Sequence, residues 1–375
     1  METRTFPGFV DVHVHFRDPG VPDAETTASG LSAAGRGGFA AVVTMPNTSP
    51  ACDSPEMIAY QESRARQAAS GGREPRTILI PSACITKGRL GREVADLESL
   101  AEAGAAFFTD DGSYVEDDRV MEEAMRRAAR LGVAVCQHAM TWRGGGSPAS
   151  NVIRDCALAR RLGLGVIPPS VETDAIRRDL SLCRVTGCRL HVQHISTAEG
   201  VSLVRDAQRE GLPVTAEATP HHLLLSCEDI AVDDANFKMA PPLGCREDRA
   251  ELRKAVLDGV LMFATDHAPH PAAKKSAGFA AGANGIVGLE TAIPITYAVM
   301  VEECGMSEDA WAQAWWEMPR AILSPRAARR LESAGKTAVQ VGERRAVDVG
   351  GFASLSRNCP YGGMSFDCWP VPSAT

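Results

Sequence analysis

The sequence predicts an α/β protein built on one (β/α)8 barrel of the TIM type. Three observations carry this. The chain has 375 residues, long for an ordinary domain but suited to one barrel of about 250 residues with additions. Eight short apolar runs recur along it, separated by loops and amphipathic stretches. His191 apart, the histidines fall toward the C-terminal ends of those runs or just beyond, which is the face where such barrels place their sites.

In chain order the runs are residues 9–15, 39–45, 77–83, 105–110, 133–138, 190–195, 213–218 and 261–266. Continuous apolar stretches mark strands buried on both faces, as in a parallel sheet. Stretches such as 118–130 and 201–210 carry the helical period between them. A doubly wound open sheet is the alternative, but no GxGxxG follows the first run. After Asp266 comes a loop rich in Gly, Ala and Lys, then a helical region with Trp311, Trp315 and Trp316. From Thr337 the tail reads as short strands. The expected division is a barrel over residues 8–335 and a small β appendage over 336–375.

Composition narrows the function. A net charge of −8 offers no basic face for nucleic acid. No apolar run nears the ~20 residues that cross a bilayer, and residues 1–9 lack a basic-then-apolar leader pattern. A soluble cytoplasmic protein is expected. Eleven cysteines, an odd number without a CxxC pair, read as reduced buried thiols. The basic run 326–330 reads as a solvated helix face.

Nine histidines define the candidate site. His13 and His15 share one side of a strand, because side chains alternate with period two, and two neutral imidazoles so placed can chelate a divalent metal. His138 ends the fifth run and His194 the sixth; His191, His221, His222, His267 and His270 lie nearby. Asp266 closes the apolar run Met262-Phe263-Ala264-Thr265, where a carboxylate is costly unless paired or metal-bound. Asp110 and Asp111 close Phe107-Phe108-Thr109 in the same way, although Asp-Asp-Gly is also a common turn sequence. Imidazoles and carboxylates without thiolates suit Zn²⁺, with Mn²⁺, Co²⁺ or Fe²⁺ as alternatives. The donor set exceeds the needs of one catalytic zinc and suits two ions about 3.5–4 Å apart. Such a pair favours hydrolysis, or its reverse, at an amide-like carbon.

Several motifs in order resemble the signatures of dihydroorotases in the amidohydrolase superfamily. They are Asp11-Val12-His13-Val14-His15-Phe16-Arg17-Asp18-Pro19-Gly20, Met45-Pro46-Asn47-Thr48, Thr109-Asp110-Asp111-Gly112, His194-Ile195-Ser196-Thr197 and Thr219-Pro220-His221-His222. The clearest are Ala264-Thr265-Asp266-His267-Ala268-Pro269-His270 and Gly285-Ile286-Val287-Gly288-Leu289-Glu290, with a fainter echo at Asn358-Cys359-Pro360-Tyr361. The resemblance implies reversible cyclisation of N-carbamoyl-L-aspartate to L-dihydroorotate in pyrimidine biosynthesis. It implies two zinc ions per chain, one on His13, His15 and Asp266, the other on His138 and His194, with Asp111 bridging and Asp110 behind it. Attack would come from a metal-bridged hydroxide, with Asp266 as general acid/base. Arg17, Asn47 and His270 would hold the substrate carboxylate, and Asn284 and Gly285 complete the expected substrate-binding set. A homodimer, and association with an aspartate transcarbamoylase, are the partner expectations.

Three departures stand out. Ala240 occupies the place of a substrate-binding asparagine, Asn284 that of an aromatic residue, and His13 lies close to the start, so the β appendage is expected to be curtailed. The alternatives are a hydantoinase, dihydropyrimidinase or allantoinase type of cyclic amidohydrolase, and a non-catalytic dihydroorotase-like subunit.

Overall fold

The computed structural model describes residues 1–69 and 77–371. Its strands are β1 (Glu2–Phe6), β2 (Phe9–Val14), β3 (Phe39–Thr44), β4 (Ile78–Pro81), β5 (Val135–Gln137), β6 (Asn151–Ile153), β7 (Gly165–Val166), β8 (Leu190–Val192), β9 (Val214–Ala218), β10 (Met262–Phe263), β11 (Thr337–Ala346) and β12 (Ser365–Pro370).

A closed parallel barrel forms from eight of the chain's segments. β2, β3 and β4 pair in parallel, as do β5, β8, β9 and β10. Phe108 joins the two groups through parallel bridges to Ala83 and Val135, and Val14 joins the other edge to His267. The seam at Val14 is sealed by His15 N donating to His267 O at 2.9 Å. Every residue of β2 and β3 is buried, as their unbroken apolar runs require.

The fourth run departs from expectation, since its ladder shrinks to bridges at Phe108. Local side-chain bonds take over next to it. The Asp110 carboxylate accepts from the backbone N–H of Ile85 (2.9 Å) and Thr86 (3.1 Å). Asp111 N donates to Thr109 Oγ1 at 3.0 Å. A short Asp residue competes well for backbone donors, and the strand ends there.

Amphipathic helices cover the barrel. In Asp118–Leu131 the buried residues are Met121, Ala124, Met125 and Ala128, at helical spacing. Asp117 caps its start, and Gly132 at φ 68° ends it in a conformation glycine adopts without strain. Trp311 and Trp315 of helix Glu308–Ile322 are fully buried. Trp315 packs its ring against Phe39 and Phe263 at 5.2 and 5.1 Å, and Trp311 packs edge-on to Phe9 at 5.2 Å.

The terminal strands form a separate antiparallel sheet in the order β1-β11-β12. Its register runs from Glu2 opposite Val341 to Phe6 opposite Thr337, and Phe6 stacks on Phe9 of the barrel at 5.8 Å. Residues 372–375 of the expected appendage lie outside the described residues.

Three local features differ from the sequence reading. The segment expected as an open loop after Asp266 contains two single-turn helices, Ala272–Lys275 and Gly278–Ala281. A two-stranded pair, β6 with β7, lies between the fifth and sixth barrel strands. The basic run is not simply solvated: Arg330 pairs with Glu62 at 2.8 Å and donates to Leu79 O at 2.9 Å. The eleven cysteines are free thiols, and nine of them are buried. Among the described residues no helix is long and apolar enough to cross a membrane.

Candidate active site

Strand geometry builds the site. On β2 and just beyond it, His13 and His15 project to one side and Val14 to the other. Asp11, two residues earlier, fixes this stretch: its Oδ1 accepts from His13 N (3.2 Å) and Thr265 N (3.0 Å), and its Oδ2 from the Thr265 hydroxyl (2.5 Å). That bond set ties the first barrel strand to the segment carrying Asp266.

Asp111 stands at the centre. Its Oδ1 lies 3.3 Å from His13 Nε2, and 3.6 Å from both His138 Nδ1 and His194 Nε2. Its Oδ2 lies 3.3 Å from His15 Nε2. Two groups with metal-ligand spacing result, His13 with His15 and Asp111, and Asp111 with His138 and His194. Asp111 belongs to both. Asp266 Oδ1 lies 3.0 Å from His15 Nε2 and 3.5 Å from His13 Nε2, on the first group's side.

The electrostatics suit cations. Burial opposes charge on Asp111, but His13 and the close imidazoles of His138 and His194 outweigh that and hold its carboxyl well below the ordinary range. Burial likewise opposes charge on Asp266, and His13, His15 and His194 reverse the effect, so it is a carboxylate at neutral pH. Burial works against protonation of His13 too, but Asp111, Glu217 and Asp266 raise it well above its usual value. His15 and His138 are pushed down, chiefly by burial, so their nitrogens are free to donate lone pairs. His13 Nε2 and Asp111 Oδ1 are buried without a hydrogen-bond partner, and His138 Nδ1 sits 2.9 Å from His194 Nε2. Converging buried donors of this kind fit divalent metal ions.

The chain bends sharply at these residues. Arg17, His194 and Asp266 have φ of 55°, 35° and 46°, and Arg89 has 58°. Non-glycine residues in this region cost on the order of 1–3 kcal/mol each and cluster at functional sites. Three are sequence-predicted site residues. The fourth, Arg89, donates to Asp111 O at 2.6 Å and so holds the central aspartate.

The groups open into a cavity of about 560 Å³. His15, Asp111, His138, His194 and Asp266 line one side, with Arg17, Asn47, His270, Asn284 and Gly285 around them. His13 lies behind, fully buried. Asn47 Oδ1 is 2.9 Å from His15 Nδ1. Arg17 Nε donates to Pro269 O at 3.4 Å, and His270 Nε2 donates to Asn284 O at 2.7 Å. Burial and the Arg17 charge push His270 down to about 3, so its ring is neutral. Ala240 also lines the cavity, in an apolar cluster with Met140 and Trp142.

Other polar residues face elsewhere. Asp110 serves the backbone described above. His267 Nε2 donates to Glu25 at 3.2 Å, and His222 Nε2 to Pro241 O at 3.1 Å. His191 pairs with Glu217 at 2.9 Å. Glu217 was not singled out in the sequence, yet it matters: Oε1 accepts from His13 Nδ1 at 2.6 Å and from His194 N at 3.2 Å. It thereby fixes which nitrogen of His13 faces Asp111, as outer carboxylates do for metal-binding histidines. A carboxylate inside the apolar run 213–218 is the same signal that marked Asp266.

Comparison with known proteins identifies the family. A family model described as dihydro-orotase-like matches residues 4–200. The dihydroorotases of Bacillus caldolyticus and Geobacillus kaustophilus are each 44% identical over 371 residues, covering 97% of this chain and 84% of theirs. Among solved structures, an L-hydantoinase (dihydropyrimidinase) from Arthrobacter aurescens superposes with a TM-score of 0.81 at 23% identity, over 98% of this chain and 83% of its own. A dihydropyrimidinase from Brevibacillus agri gives 0.78 at 20%, with the same coverage. These structures share the barrel fold. The sequence relatives go further, and the chain belongs to the dihydroorotase family of the amidohydrolase superfamily.

Proposed function

We propose that this chain is a dihydroorotase that interconverts L-dihydroorotate and N-carbamoyl-L-aspartate. The carrying observation is Asp111, shared between two histidine groups on the wall of a cavity that Arg17, Asn47 and His270 also line. Donors of imidazole and carboxylate type, without thiolate, suit two zinc ions per chain. His13, His15 and Asp266 would hold one, His138 and His194 the other, and Asp111 both. Bound there, the metals would make water nucleophilic at neutral pH and polarise the scissile carbonyl.

The protein's own residues do the rest. Arg17 meets the ring carboxylate with a guanidinium fork matched to its two oxygens. Burial lowers the Arg17 pKa only to about 10, so it keeps its charge. Asn47 and neutral His270 orient the same group, and the backbone of Asn284 and Gly285 borders the ring. Asp266, an ionised carboxylate beside His15, takes the proton released by the attacking water and delivers it to the departing ring nitrogen. In the synthetic direction it takes the proton from the carbamoyl nitrogen. The barrel over residues 8–335 carries the metal donors and Arg17, Asn47 and His270, and from the tail Asn358 reaches back to the same mouth.

A neutral-ring amidohydrolase would offer Arg17 no substrate carboxylate, and a non-catalytic subunit would not need the complete donor set. The test is turnover of zinc-loaded protein on L-dihydroorotate beside 5,6-dihydrouracil and allantoin. Turnover of L-dihydroorotate well above both neutral rings is expected. Activity confined to a neutral ring would overturn the assignment.

A further inference from the structure

Between β11 and β12 the chain leaves the terminal sheet and runs back to the barrel mouth, where Asn358 is buried at 3% exposure. Its side chain uses every hydrogen-bonding group it needs there. Nδ2 donates to Ala268 O and to Gly285 O, both at 2.9 Å. Oδ1 accepts from His270 N at 3.1 Å. Its backbone carbonyl accepts from Val287 N at 3.0 Å. One residue therefore joins the loop after the eighth strand to the Gly285 segment.

Those two segments carry the groups that face the substrate. Pro269, between Ala268 and His270, accepts the Arg17 guanidinium, and His270 reaches across to Asn284 O. The segments touch so closely that a Cβ on Gly285 would lie 2.4 Å from Ala268 O and 2.7 Å from the His270 ring. Lys275 grips the same backbone from the other side, donating to Ala283 O at 2.8 Å and Gly285 O at 2.7 Å.

We infer that Asn358 is a positioning residue for substrate-carboxylate binding: its amide sets the spacing of Arg17, His270 and the Asn284–Gly285 backbone without touching substrate. The inference rests on the dihydroorotase reading above. The position requires an amide. An aspartate has nearly the same shape, but it places a carboxylate against two carbonyl oxygens and offers no donor. Because the clamp binds substrate and transition state alike, loosening it affects KM rather than kcat.

The test compares Asn358→Asp and Asn358→Ala with wild type, as zinc-loaded full-length chains. It measures kcat and KM for L-dihydroorotate, and counts zinc on the same samples. Expected is a KM raised roughly tenfold in both variants, the scale of one or two lost hydrogen bonds. The kcat should stay within about twofold of wild type and the zinc content should be unchanged. If Asn358→Ala fails to fold, the near-isosteric Asp variant carries the same readout. An unchanged KM overturns the inference. So does a fall in kcat in proportion to lost zinc, which would make Asn358 a general structural prop. A wild type that binds zinc but leaves L-dihydroorotate untouched sinks the substrate reading itself, and this inference with it.

Discussion

At the scale of single residues, Asp266 is where we propose that the proton transfer takes place. It ends an apolar strand, sits at a positive φ, and is held ionised by neighbouring imidazoles despite full burial. Asparagine has its shape and keeps an oxygen for the metal, but it cannot take a proton. Asp266→Asn is therefore expected to retain its zinc and lose kcat by on the order of 10²–10⁴-fold, measured by steady-state turnover on protein with counted metal. A kcat within tenfold of wild type would remove Asp266 from the proton path. This residue was legible in the sequence because a carboxylate at the end of a buried run needs a partner. Glu217 carries the same signal within its strand. Arg89 carries none: it lies in the short 3-10 turn Lys87–Arg89, and only folding brings its guanidinium to Asp111.

Secondary-structure elements were legible where burial on both faces left an unbroken apolar run, as in β2 and β3. The fourth run was apolar too, but Thr109 and Asp110 divert backbone donors to side chains, and no periodicity reports that. The short helix Pro220–Leu224 shows how an element can set pH response. Thr219 caps it, and His222 within it bonds Thr219 Oγ1 at 2.8 Å and Pro241 O at 3.1 Å. Burial and the nearby His194 lower His222 from the ordinary 6.5 to about 3. The unfolded chain takes up a proton below about pH 6.5 that the folded chain refuses. Stability from this group is thus complete above pH 6.5 and falls as pH drops toward 3, by up to about 1.4 kcal/mol per pH unit. His222→Gln should flatten the acid branch of the stability curve by roughly one proton between pH 6 and 4. Urea unfolding of both proteins across that range checks this, and parallel curves would contradict it.

At the scale of the whole molecule, closure makes the site. Asp111 follows the fourth strand, while His13 and His15 belong to the first, His138 and His194 to the fifth and sixth, and Asp266 to the eighth. Only a barrel that closes through Phe108 and Val14 brings the four histidines within 3.3–3.6 Å of Asp111, and Asp266 within 3.0–3.5 Å of His13 and His15. Eight regular runs made that closure readable. The return of residues 352–358 to the barrel mouth was not readable, because contacts across some 70–90 residues leave no local pattern. The proposed role of Asp111, a ligand to both of two bound ions, is open to direct measurement. Anomalous diffraction from zinc-loaded crystals measures it directly. Two peaks about 3.5–4 Å apart, flanking the Asp111 carboxylate, are the expected result; a single peak, or two peaks that Asp111 does not join, would contradict the account.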